Sequence, residues 1–125
     1  MRVLDAGVVV ELLVGGLDPA RLGDQELAVP HLIDSEVMHV LRGLVRRGAL
    51  STHQGDVAVN GFRRLSLSRF AADWLRPRIW ELRHKLSAYD ATYVALTEMT
   101  GAAVLFTTDA GIAGAPGVNC AVQLL

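Results

Sequence analysis

An α/β fold with a mainly parallel central sheet flanked by helices is what this sequence predicts, and two observations carry it. Short apolar runs at residues 3–4, 27–29 and 103–106 alternate with longer stretches whose apolar side chains recur every three or four positions. Acids also stand just beyond strands: Asp5 follows the first run, and Asp109 follows the run that ends at Phe106 and two threonines. In parallel sheets ligands gather at the carboxyl ends of the strands, so these acids share one edge. A single domain over residues 1–125 is large enough to bury a core without disulfides.

The elements follow in order. Residues 3–4 begin a strand, and residues 6–14 read as a helix that Gly15 and Gly16 terminate. Residues 27–29 make a second brief strand, closed by Pro30. From His31 to Arg47 the residues Ile33, Val37, Leu41 and Leu44 recur at helical steps, with Arg42, Arg46 and Arg47 outside and Gly48 as the stop. Ser51 or Thr52 caps a helix running towards Arg64. Leu65, Leu67 and Phe70 then alternate with Ser66 and Ser68 as an edge strand does. Asp73 is expected to cap a helix over 74–85, with Pro77 near its first turn. Ser87 opens a helix to Thr100, closed by Gly101. A buried strand over 103–106, a helical turn over 109–113 and a last strand over 121–124 complete the chain.

Composition removes several classes of function. With 12 Lys and Arg against 13 Asp and Glu the net charge is −1, so no global basic field attracts nucleic acid and any such binding is local. Hydrophobic content reaches 51%, yet Glu11, Asp18 and Asp109 interrupt the apolar stretches well short of a membrane span. No leader pattern opens the chain, and a cytoplasmic protein is expected. Cys120 is alone, cannot form an internal disulfide, and is read as a small buried apolar residue. His31, His39, His53 and His84 fall on different elements and are read as surface or capping residues. Trp74 and Trp80 are expected in the core or at a dimer interface.

Two further acids sit on helices that face the same sheet edge. Asp90 lies in the first turn of its helix, three residues after Ser87 and beside the small Ala91, which lets the helix approach the sheet. Glu36 projects between Leu32 and Val40, on the shoulder of the apolar stripe. Each acid alone has a structural reading: Asp5 and Asp109 as N-caps, Ser87 with Asp90 as a capping box, Glu36 paired with an arginine. Together, four carboxylates at one end of a sheet raise one another's pKa unless a cation sits among them. An oxygen-only set suits Mg²⁺ or Mn²⁺ rather than zinc. No Ser/His/Asp or Cys/His set offers another route to catalysis.

These residues carry a family resemblance. Through "VLDAGVVVELL", "HLIDSEVMHVLRGL" and "LSAYDATYVALTEMTGAAVLFTTDAGIA", in that order, the chain resembles the PIN-domain ribonucleases, and specifically the VapC toxins of bacterial toxin–antitoxin pairs. The resemblance implies a single PIN domain and an acidic quartet of Asp5, Glu36, Asp90 and Asp109, with Thr107 as the threonine that accompanies the last acid. It implies Asp5, Asp90 and Asp109 as direct or water-mediated metal ligands, with Glu36 holding a metal-bound water or acting as general base. It implies endonucleolytic cleavage of RNA by a divalent-metal-activated water, leaving a 5′-phosphate and a 3′-hydroxyl, with one metal or two left open. The implied partners are the RNA substrate, a cognate VapB-like antitoxin and a second copy of the chain in a homodimer. In one place the chain departs from the family: a Ser or Thr is common two residues after the first aspartate, and here that residue is Gly7.

Two other readings stay open on the residues. Gly7 admits a catalytically inactive PIN-like module that binds RNA or protein without cutting. A receiver-like or phosphatase-like domain also clusters acids at strand ends, but it needs a lysine after a late strand, and the only lysine, Lys85, falls in an expected helix.

Overall fold

The computed structural model describes residues 1–125. In chain order its elements are β1 (Arg2–Leu4), α1 (Ala6–Leu13), β2 (Leu27–Pro30), α2 (Ile33–Arg46), α3 (Thr52–Arg64), β3 (Ser68–Phe70), α4 (Arg76–Glu81), α5 (Ala88–Thr100), β4 (Leu105–Thr107), α6 (Ala110–Ala113) and β5 (Val122–Leu124). All strand pairs are parallel, and the sheet order is β3-β2-β1-β4-β5. Val3 lies opposite Ala28 on one side and Leu105 on the other. Being central and covered on both faces, β1 is apolar without alternation, and Val3 and Leu4 are fully buried.

Sheet order decides where a site can form. From β1 the chain moves outward to β2 and β3, then returns to the other side of β1 for β4 and β5. The connections after β1 and after β4 therefore diverge, opening a crevice at the carboxyl ends of those two strands.

Helices α1, α2 and α3 pack on one another, while α5 lies across β1, β2 and β4 and carries α4. The valine run of α1 has modest helix propensity, and burial of Val8, Val9 and Val10 together with the Asp5 cap holds it helical. Helix α5 is buried from Ala91 to Thr97, as a helix apolar on nearly all sides must be. Its threonines stay satisfied there by returning their hydroxyls to carbonyls one turn back, Thr92 to Ala88 and Thr97 to Tyr93. Gly101 ends it in the left-handed region, at φ 67°. Ser51 and Gln54 form the full capping box of α3.

Several expectations need correction. The helix expected over 74–85 is a 3₁₀ turn (Asp73–Leu75), then α4, then turns. Pro77 sits in the first turn of α4, where its missing N–H is tolerated, and having none to give to the carbonyl of residue 73 it does not carry the α-helix back over 73–75. Asp73 lies within the 3₁₀ turn, and Ala72 takes the cap position without a side-chain bond. Trp74 and Trp80 are not in the core, with 43% and 67% of their surface exposed. Trp80 instead stacks under the Arg83 guanidinium, 4.6 Å from its ring centre. Helix α2 starts at Ile33, two residues after His31. The fourth strand runs through Thr107, a polar residue that is fully buried in the sheet. An unforeseen 3₁₀ turn (Pro19–Leu22) is capped by Asp18 and seats Leu22 in the core. Cys120 is half-buried, its thiol pushed up to about 11 chiefly by that burial.

One charge network ties the sheet's far edge to the helices. Arg78 of α4 holds Glu98 of α5 through two bonds of 2.7 and 3.1 Å and reaches the Gly117 carbonyl at 2.6 Å. Glu98 also accepts from the Asn119 amide at 2.7 Å. Burial alone would raise the Glu98 carboxyl, but Arg78 and that amide outweigh it and hold it below its ordinary value. Arg78→Ala should cost about 2 kcal/mol of stability in urea unfolding at pH 7, because it leaves Glu98 sheltered and short of a cation. A lowered folded pKa contributes stability above the unfolded value and loses it as pH falls, so the difference between the two proteins should shrink below about pH 4.

Candidate metal and RNA site

Asp5 leaves β1 and immediately caps α1, accepting the Val8 amide at 2.9 Å on Oδ1. Its other oxygen, Oδ2, accepts the Thr107 hydroxyl. The same Thr107 oxygen receives the Asp109 amide at 2.9 Å. One buried hydroxyl at the end of β4 thus fastens the first acid to the backbone of the last. Asp109 caps α6, with Oδ1 on the Gly111 amide at 2.7 Å. Both acids do serve as N-caps, and each also stands at the crevice between β1 and β4.

Asp90 and Glu36 arrive from the helices. Ser87 caps α5 by accepting the Asp90 amide at 3.1 Å, and Asp90 itself makes no reciprocal bond to the Ser87 backbone. Only half of the expected capping box exists, so the Asp90 carboxylate is left for the site. Glu36 pairs with no arginine; Oε1 accepts the Tyr93 hydroxyl at 2.6 Å. Tyr93 stands one helical turn after Asp90 and is almost wholly buried, so α5 delivers one acid and orients a second.

Three of the four acids are raised in pKa, and each of the three feels the charge of at least one of the others or of Asp109. The Asp5 carboxyl is raised above its ordinary value first by burial, against the Thr107 hydroxyl and the Val8 and Thr108 amides, with the Asp109 charge adding to the rise. Glu36 is raised by burial, opposed by the Tyr93 bond and assisted by Asp90 and Asp5. Asp90 is raised by burial, then by Asp109 and Asp5, against the Ser87 hydroxyl. The positive end of α5 would act the other way on Asp90, and it loses. Such mutual elevation marks half-dry negative charge awaiting a counter-charge. The donors are all oxygens, which fits a hard divalent cation, but no three acids are placed to ligate one ion directly. A small hard ion that keeps several waters and takes one or two carboxylates is compatible with that spacing.

An open cleft of about 530 Å³ leads to Glu36, lined also by Leu32, Ser35, His39, Val40 and Tyr89. A second, of about 260 Å³, lies beyond Thr108, with Glu11 and Arg21 on its walls. Sequence reasoning missed Tyr93, Tyr89 and Thr108. Tyr93 had a signal, its spacing of one turn from Asp90; Tyr89, next to Asp90 in sequence, puts an exposed ring on the wall of the cleft that leads to Glu36.

No family model matches the chain. Among curated proteins it is 37% identical to VapC ribonuclease Mb0985 of Mycobacterium bovis, over all of this chain and 98% of that one. Ribonuclease VapC9 of Mycobacterium tuberculosis is similar to the same degree, and VapC1 of that organism is 35% identical over 98% of this chain and 96% of its own. The chain belongs to the VapC ribonuclease family. Solved VapC structures share its fold: the Mycobacterium tuberculosis VapC20 toxin superposes with a TM-score of 0.66 over 90% of this chain and 93% of its own, at 16% identity. VapBC2 of Rickettsia felis, solved on a DNA fragment from its promoter, gives 0.69 over 99% of this chain and 98% of its own, at 14% identity. The α/β reading and the VapC resemblance are thereby borne out.

In this VapC chain the elevated acids make a test of electrostatics. A carboxyl whose folded pKa lies above its unfolded value costs stability as pH rises through that interval, and the full cost remains at neutral pH. Asp90→Asn should therefore raise the thermal midpoint of the metal-free protein at pH 7 by roughly a few degrees, and leave it unchanged near pH 3. Melting curves in EDTA at the two pH values check this.

Proposed function

We propose that this VapC chain is a toxin endoribonuclease, dependent on Mg²⁺ or Mn²⁺ and neutralised by a cognate VapB-like antitoxin. The observation that carries the proposal is the gathering of four acids at the switch point of the sheet, three of them (Asp5, Glu36 and Asp90) raised in pKa, with the Thr107 hydroxyl joining the Asp5 carboxylate to the Asp109 backbone amide. Asp5, Asp90 and Asp109 hold the cation, directly or through water. A bound divalent cation supplies positive charge to the phosphate and lowers the pKa of an attacking water.

The chain's own residues do the rest. Thr107 fixes the Asp5 carboxylate so that its free lone pairs face the crevice. Glu36, held by Tyr93 and raised in pKa, takes the proton of the attacking water. The water oxygen bonds to phosphorus as the bond to the 3′ oxygen breaks; the new oxygen stays on the 5′-phosphate, the departing oxygen takes a proton from solvent water to become a 3′-hydroxyl, and Glu36 returns its proton to solvent. RNA reaches the acids along the cleft that Glu36, His39 and Tyr89 line. The protein works in the cytoplasm as a homodimer, and no helix is long and apolar enough to cross a membrane. Gly7 favours one second reading, a PIN-like module that binds RNA or protein without cutting.

Purified, partner-free protein should cut structured RNA with Mg²⁺ or Mn²⁺ and stop on addition of EDTA. Asp5→Asn and Asp90→Asn should each lower the rate by about 10²-fold or more, the equivalent of several kcal/mol of lost charge stabilisation. Tyr93→Phe, which frees Glu36, should cost about 10-fold. A folded sample that binds Mn²⁺ and leaves every cellular RNA intact would give the second reading the field.

The antitoxin's mode follows from the same charges. A guanidinium fork inserted among four carboxylates both pairs with them and excludes the cation. Changing the pocket-directed arginine of the antitoxin to alanine should weaken inhibition while largely sparing binding, read by cleavage assay and calorimetry in parallel. Equal inhibition by both forms would mean that the antitoxin blocks the RNA path elsewhere.

A further inference from the structure

Gly7 looks like a loss, and its surroundings argue for an exchange. It lies in the first turn of α1, and its backbone φ is not positive, so nothing in the chain path demands glycine there. Glycine in a helix costs about 0.5–1 kcal/mol relative to alanine, and here no turn or left-handed conformation offsets that cost. The space above it is nevertheless taken. A Cβ built on residue 7 would overlap Thr108 Oγ1, and it would stand 3.5 Å from Asp5 Oδ1. The Thr108 hydroxyl thus occupies the volume that a side chain at residue 7 would fill, beside the first acid of the site.

Packing does not explain that placement. Thr108 is exposed, and its hydroxyl has no partner within the protein, unlike the buried Thr107 hydroxyl, which has two. Its neighbours are the Asp5 carboxylate on one side and, on the other, the cleft of about 260 Å³ that Arg21 and Glu11 line. An unengaged hydroxyl between an acid cluster and an open cleft walled by one arginine and one glutamate is placed to meet an oxygen held there.

We propose that Thr108 is a positioning residue of the site: its hydroxyl takes the place of one at residue 7 and hydrogen-bonds an oxygen, of hydration water or of substrate phosphate, held against Asp5. The proposal rests on the nuclease reading and deepens it. Gly7 is then what makes room for this hydroxyl, and the chain's departure from its family is an active arrangement built from a different residue.

Four variants test it: Thr108→Val, which keeps the shape and removes the hydroxyl; Thr108→Ser, which keeps the hydroxyl; Thr108→Ala; and the double variant Gly7→Ser with Thr108→Ala, which moves the hydroxyl back to residue 7 and clears its space. Each is measured for kcat and KM on RNA, and for Mn²⁺ affinity by calorimetry without RNA. Thr108→Val should lose about 10-fold, and Thr108→Ser should stay within about twofold of the unmodified chain. The double variant should recover most of what Thr108→Ala loses. A loss in Mn²⁺ affinity assigns the oxygen to hydration water, whereas a rise in KM alone assigns it to phosphate. Thr108→Val matching the unmodified chain in both measurements overturns the proposal, as does a double variant that melts normally yet stays as slow as Thr108→Ala. If the double variant does not fold, the Val and Ser pair decides. Should the unmodified chain cut no RNA, the nuclease reading fails, and Mn²⁺ affinity still judges Thr108.

Discussion

The Thr107 hydroxyl is the interaction on which the site's geometry depends. It donates to Asp5 and accepts from the Asp109 amide, so a single oxygen at the end of β4 joins the residue that leaves β1 to the residue that opens α6. This bridge exists only because β1 and β4 are neighbours while their following connections diverge. Parallel pairing puts Leu4 opposite Phe106, and the next positions along both strands are the acid and the threonine. A register slip of one residue would turn Thr107 to the other face of the sheet and leave Asp5 buried with an unpaired oxygen.

Burial and repulsion then act against the fold in a controlled way. Asp5 is 7% exposed, and its hydrogen bonds offset only part of the desolvation. The helix-borne acids feel both burial and the charges of the strand-borne ones. A protein that needed only caps would have no reason to gather Asp90 and Glu36 here as well. The balance therefore favours a bound counter-charge over an empty crevice. Under the proposed function a cation and an antitoxin arginine would compete for the same stabilisation, so that occupancy by one would regulate the other.

Much of this was legible in the sequence, and the residues show why. Asp5 and Asp109 were found because position after a strand in a parallel sheet is a local property with a global meaning. Asp90 followed from its place one turn inside α5. Glu36 was legible as an acid on an apolar shoulder, but its partner Tyr93 was not. A bond to Tyr93, 57 residues away, is a tertiary contact that no periodicity announces. Thr108 was invisible for the same reason: its hydroxyl matters through its distance from residue 7, which depends on how β4 lies beside β1. The broken helix at 74–82 was a failure of weighting. Pro77 does sit in the first turn of a helix, as expected, but that helix begins at Arg76 and ends at Glu81, so its start and its length were both misjudged. The tryptophans were placed by size, yet the core is filled without them and Trp80 lies at the surface under the Arg83 guanidinium.

Helix α5 shows how stability and chemistry are coupled in one element. Asp90 and Tyr93 face the crevice from one side of the helix, while Ala91, Val94, Ala95 and Leu96 are fully buried. Rotating the helix by a single residue, about 100°, would withdraw both functional groups and expose core side chains together. The core therefore fixes the azimuth of the site. Arg78 on Glu98, two turns further along the same helix, anchors its far end against α4 and the segment before β5. Fixing both ends leaves the half-buried Asp90 little freedom to retreat from its neighbours' charge. That rigidity is what turns four acids from mobile surface groups into a site with a defined field.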